Sequence, residues 1–172
     1  MNTNTTPVYD SSDNPTGCCP RFNPKGWDSQ ALHFSGKPFA RATTKSQDFV
    51  LQDMGDVFAN TFQAIQEAGA NDDEQSLVLS RDLSPSSAEH LFAVTKDVPG
   101  KEMVRLTGDY RTKVFEGDYA NAPRWKGAFE DELETQGLDA EELYFFYTTC
   151  PKCAATYGKN YVVGVARVEA ET

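Results

Sequence analysis

The chain has 172 residues, 39% of them apolar and 24% charged, and its 26 acidic and 16 basic side chains leave a net charge of −10. That is length and apolar content enough for one ordinary globular domain with a real core, and it excludes a disordered chain. So acidic a surface repels phosphate backbones and anionic lipid, so neither nucleic acid nor membrane is an expected partner.

No apolar run approaches the roughly 20 residues of a membrane span, and residues 1–13 lack the basic and apolar stretches of a signal peptide. Four cysteines are too few for a disulfide scaffold. The expected location is cytoplasmic.

Residues 1–17 are rich in Asn, Thr, Ser, Asp and Pro. They have almost nothing to bury and are expected to form a disordered tail. Residues 18–36 read as an arm: Cys18-Cys19-Pro20-Arg21-Phe22 leads into Pro24-Lys25-Gly26-Trp27, and its aromatics need an apolar surface to lie on.

Residues 37–168 read as one domain. Pro38 to Ser46 suggests a strand. Met54, Val57, Phe58, Thr61, Phe62, Ile65 and Ala68 recur with the helical period, with Asp53 placed as N-cap and Gly69 as the stop. Gln75–Asp82 and His90–Val98 read as a hairpin around a Ser/Pro loop at Leu83–Glu89, and Pro99-Gly100 as a turn.

The order then recurs. Glu102–Phe115 is strand-like, Ala122, Trp125, Ala128, Phe129 and Leu133 form a second helical stripe ended by Gly137, and Glu142–Thr149 and Tyr161–Val168 are strands around a loop at Pro151–Asn160. Each element lies about 67 to 70 positions after its counterpart, so 37–100 and 101–168 read as two pseudo-repeats. A single strand–helix–strand–strand unit buries little. The expected fold is α+β, a duplicated strand–helix–strand–strand unit forming one antiparallel sheet with two helices on one face. The cleft between the repeats is the natural ligand site.

This plan, with Gly108 to Tyr119 leading into the second helix, resembles the GyrI-like small-molecule-binding proteins. Asp118 stands where that family usually has proline. A narrower resemblance is to a bacterial GyrI-like group labelled "hydrolase". It rests on Cys18 to Phe22, Lys113 to Trp125, and Tyr144-Phe145-Phe146-Tyr147-Thr148-Thr149-Cys150-Pro151-Lys152-Cys153. The resemblance implies a pocket for bulky, flat, often cationic small molecules. It also implies hydrolysis of cyclopropanoid-type xenobiotics as a candidate activity.

Three constellations carry chemistry. On the aromatic strand, Tyr144 and Phe146 face one way and Phe145 and Tyr147 the other. With Trp27, Tyr119 and Trp125 they suit a ligand cage; the plain alternative is core and arm packing. Glu116, beside Gly117, is a candidate general base for an attacking water, with Tyr147 as donor to the leaving oxygen; the alternative is a solvated carboxylate.

Cys150 and Cys153 have the spacing of half a zinc site. Cys18 and Cys19, adjacent and so a poorer match, would supply the other half, with His33 or His90 able to replace one. Zinc is thus the cofactor these residues could hold, and four reduced thiols are the plain alternative. A redox pair is disfavoured because a hairpin loop lacks the helix dipole that lowers a thiol pKa. A thiol or zinc module is therefore the competing functional class, and a plain interaction domain the third. The chain suits a monomer or a homodimer. No nucleotide-binding loop, nucleophile elbow or metal-binding helix motif is present.

Overall fold

A computed structural model describes residues 3–17, 19–48, 50–149 and 151–170. The elements run β1 (Ala31–Gln47), β2 (Val50–Leu51), α1 (Met54–Glu67), β3 (Val78–Ser84), β4 (Ser87–Ala93), β5 (Glu102–Glu116), α2 (Ala122–Thr135), β6 (Leu138–Tyr147), α3 (Pro151–Tyr157) and β7 (Tyr161–Ala170). Strand–helix–strand–strand therefore occurs twice, as β1-α1-β3-β4 and β5-α2-β6-β7. The six long strands form one antiparallel sheet in the order β1-β4-β3-β6-β7-β5, with β2 hanging on the end of β1.

The sheet also closes on itself, because β5 pairs back onto β1. The long β1 makes this possible: Phe39–Lys45 pair with β4, while residues 31–41 pair with β5 across an irregularity between Phe34 and Lys37. Gly36, at φ 62°, occupies that bulge. The halves meet again at β3–β6, through the single ladder pair Ser80–Phe145.

Alternation along each strand gives the sheet an inner and an outer face. Phe34, Phe39, Leu79, Leu91, Tyr110, Tyr144, Phe146, Val163 and Val165 fill the inside. Both long helices lie on the outside. On α1, Phe58 and Ile65 pack over Ala40, Phe92 and Val94. On α2, Trp125, Phe129 and Leu133 pack over Phe115, Phe145, Val162 and Ala166. Helix α2 sits so close that a Cβ added at Gly164 would lie 2.8 Å from Phe129 Cδ2.

Several local features differ from the sequence reading. Strand β1 starts at Ala31 rather than Pro38, because β5 supplies a partner for the earlier residues. The supposed Leu83–Glu89 loop is a tight turn: Ser84 Oγ accepts from Ser86 N at 3.2 Å and lies 3.0 Å from Ser87 Oγ, so the hairpin starts early and β4 ends at Ala93. Asp53 stands at the N-cap position, but its carboxylate accepts from Lys45 N instead (2.8 Å). The supposed Pro151–Asn160 loop contains α3, with Pro151 as its first residue.

Candidate functional site

Residues 3–17 and 19–30 cover one mouth of the barrel. Asn4 N donates to His33 O, and Asn4 Oδ1 accepts from Ser35 N at 2.7 Å. Thr6 donates from both its backbone N–H and its hydroxyl to Gln75 Oε1, each at 2.8 Å. Tyr9 N donates to Glu74 O. The segment expected to be a tail is thus laid as a strap from β1 to the turn before β3.

The arm follows inward. Trp27 is fully buried, and its indole donates to Val8 O at 3.2 Å. Its ring lies 5.5 Å from both Phe22 and Phe146. Thr112 fixes it by donating to Trp27 O and accepting from Gln30 N. The aromatic arm has found its apolar surface inside the barrel, and Trp27 serves as a plug.

Where strap, arm and barrel meet, a cavity of about 370 Å³ opens. Phe22, Tyr157 and Tyr161 give it ring surface, and Asp10, Asp13, Arg21 and Lys159 give it charge. That volume suits a small organic ligand. Arg21 pairs with Asp13 at 3.3 Å and lies over the Tyr157 ring at 4.9 Å. Asp10 accepts from Ser12 N, and the Ser12 hydrogen bonds hold its carboxyl below the usual range, keeping it ionised. Tyr9, packed on Phe22 and Phe146, has its hydroxyl pushed up to about 12, chiefly by burial.

The same wall joins the two cysteine motifs. Tyr157, on α3, donates to Cys19 O at 2.5 Å, and Thr16 Oγ1 lies 3.0 Å from the Tyr157 hydroxyl and 3.4 Å from Cys153 Sγ. Cys153 is buried. Cys18 and Cys150 lie outside the described residues. Among the described residues no three His, Cys, Asp or Glu side chains converge as metal ligands.

The remaining sequence-selected residues divide between the two faces. Trp27, Tyr144 and Phe146 belong to the interior cluster. Trp125, Tyr119 and Tyr147 lie outside, beneath α2. There Trp125 stacks on Phe115 at 5.3 Å, and Tyr119 meets Tyr147 edge-on at 5.3 Å. Burial, with a smaller contribution from Asp82, pushes the Tyr147 hydroxyl up to about 12. Glu116 is exposed at the end of β5, directly opposite Tyr161. Opposed residues share a face, so Glu116 stands on the cavity side of the sheet and Tyr147 on the other. The structure does not bring these two together.

A second polar site, absent from the sequence reading, closes the opposite mouth. Glu89 accepts from Arg41 Nε at 2.8 Å and from Arg81 Nε at 2.6 Å. Arg41 continues to Glu102 at 3.0 Å. Glu142 accepts from the Tyr144 hydroxyl at 2.6 Å and lies 3.5 Å from Arg167. Burial works to raise the Glu89 pKa, but the two guanidiniums outweigh it and hold it down. The Tyr144 hydroxyl is raised by burial and by its bond to Glu142. The available signal was a charge at a core phase, as in Phe39-Ala40-Arg41 and Val165-Ala166-Arg167.

The sequence of residues 9–168 matches the family described as "Bacterial hydrolase". No curated protein matches the sequence. Two solved structures are similar, titled as an uncharacterized conserved protein and a hydrolase, both from Listeria innocua. In each case the identity is 11%, the TM-score is 0.56, and the match covers 83% of this chain and 92% of the other. At that identity they establish a shared fold. The family match spans nearly the whole chain, and the chain belongs to the bacterial hydrolase family.

Proposed function

We propose that this protein is a GyrI-like hydrolase that binds a bulky aromatic or cationic small molecule under its N-terminal segment. The observation that carries the reading is the 370 Å³ cavity, where aromatic rings and carboxylates line one space between strap, arm and barrel. Phe22, Tyr157 and Tyr161 offer ring faces to a flat ligand, and Asp10 offers charge to a cation.

Hydrolysis, including ring opening of a cyclopropanoid-type xenobiotic, needs a water, a base and a donor. Glu116 is the base in this reading: it is the cross-strand neighbour of Tyr161 and open to solvent. The donor role passes from Tyr147, across the sheet, to Tyr161 in the cavity. The cage of the sequence reading becomes a supporting shell: Trp27 and Phe146 pack behind the cavity residue Phe22, Tyr144 belongs to the charge cluster at the other mouth, and Tyr119 and Trp125 seat α2.

The test is a fluorescence titration with ethidium as a planar cationic probe. Asp10→Asn, with an unchanged melting temperature, and Tyr161→Ala, with some loss of stability because its ring also packs on Phe22, are each expected to weaken binding about tenfold, equivalent to about 1.4 kcal/mol. Unaltered affinity in both variants would refute the site.

The docking of Cys19 against the helix bearing Cys153 favours a second reading, in which the cysteines form a zinc or thiol clamp that pins the arm. Elemental analysis separates the two: about one zinc per chain supports the clamp, and none refutes its zinc form.

A further inference from the structure

Lys37 is the buried one among the nine lysines, at 7% exposure. It follows the Gly36 bulge and turns inward beneath the strap. Its Nζ donates to the main-chain carbonyl of Asn4 at 3.0 Å and lies 5.7 Å and 5.9 Å from the Phe34 and Phe39 ring centres. Among the described residues no carboxylate pairs with it within 4 Å. A buried cation is normally paired, and one held by a carbonyl and two rings is unusual.

We propose that Lys37 is an imine-forming amine for a small apolar aldehyde, and that residues 3–6 of the strap gate access to it. The site is separate from the cavity of the proposed function and does not depend on it. Three features carry the inference. The two rings favour a neutral amine; burial lowers the Lys37 pKa, with the charge of Asp72 opposing. The amine is held by a main-chain carbonyl, which it can leave without stranding an opposite charge. The covering segment is fastened largely by hydrogen bonds: the Asn4 contacts to Ser35 are exposed to solvent, so local opening is cheap.

In the reaction, the Nζ lone pair attacks the aldehyde carbon and a C–N bond forms. The carbonyl oxygen takes up the proton to give a carbinolamine. Loss of one water then leaves the imine, with no change in oxidation state.

The experiment treats the full-length protein with benzaldehyde and cyanoborohydride, which reduces any imine to a stable secondary amine, and maps adducts by peptide mass spectrometry near neutral pH. Lys37 is expected to carry the dominant adduct despite the greater exposure of the other eight lysines. Asn4→Ala, which removes the paired bonds to Ser35, is expected to speed Lys37 labelling at least fivefold. Lys37→Arg should abolish the dominant adduct while keeping the charge. Labelling spread over exposed lysines, with Lys37 unmodified in both the natural chain and Asn4→Ala, would overturn the proposal. Labelling at Lys37 with an unchanged rate in Asn4→Ala would overturn the gate.

Discussion

Replacing Trp27 with alanine tests whether the arm is a structural part of the barrel. The indole is fully buried, lies 5.5 Å from two other rings, and spends its one polar hydrogen on Val8 O. Removing a buried Trp ring costs about 3–5 kcal/mol in lost transfer energy and residual cavity, and the lost indole bond adds about 1 kcal/mol. Allowing for partial collapse of Phe22 into the space, the expected loss is about 4 kcal/mol. For a chain of this size that is a fall in melting temperature of roughly 8–16 °C.

Urea denaturation followed by circular dichroism reads the stability directly. Trp27→Phe keeps a ring and loses the N–H, and should cost less than half as much. A Trp27→Ala loss below about 1 kcal/mol would refute the plug, because a ring removed from a packed core cannot cost so little.

Three other outcomes follow from the packing and the charges. Gly164→Ala forces a Cβ to within 2.8 Å of Phe129 Cδ2, and calorimetry should show a loss of about 1–3 kcal/mol from the shift of α2. Glu89→Gln leaves Arg41 and Arg81 without their shared carboxylate. Because both arginines are partly open to solvent, urea denaturation should show a loss near the lower end of the range for a broken buried pair, about 3 kcal/mol.

Stability should also fall in acid. His90, fully buried between Ser80 (2.7 Å) and Thr44 (2.8 Å), has its pKa lowered by burial from 6.5 to about 4. Between those values the unfolded chain takes up a proton that the folded chain refuses. The stabilisation is therefore complete above about pH 6.5 and declines toward pH 4, by roughly 3 kcal/mol in all. Denaturation midpoints at pH 7, 5.5 and 4 check it, and His90→Gln should flatten the slope.

The repeat, both long helices and the alternation of Tyr144 to Tyr147 were legible because each rests on a local period. Phe58 and Ile65 follow a helical stripe, and Tyr144 and Phe146 share a strand face, wherever the rest of the chain lies. Closure of the sheet was not legible, because it depends on β1 pairing with β5 across some 70 residues. The same long-range register decides the charge cluster: Arg41, Arg81, Glu89 and Glu142 come from four strands and meet only once those strands are aligned.

The tail offered little apolar surface of its own, so its composition pointed to disorder. Its placement rests on hydrogen bonds to Gln75, Glu74 and Ser35, and composition carries no trace of those partners. The candidate cavity was illegible for the same reason, since the strap and arm supply several of its walls.

Hydrogen exchange of the Trp27 indole N–H, followed by NMR on the full-length protein and assigned with Trp27→Phe, most directly tests the covering of the barrel mouth by the N-terminal segment. The hydrogen is bonded to Val8 O inside the plug, so the expected result is exchange slowed by several orders of magnitude relative to free indole. Exchange at the rate of an exposed tryptophan would show an open mouth and would contradict the covered site.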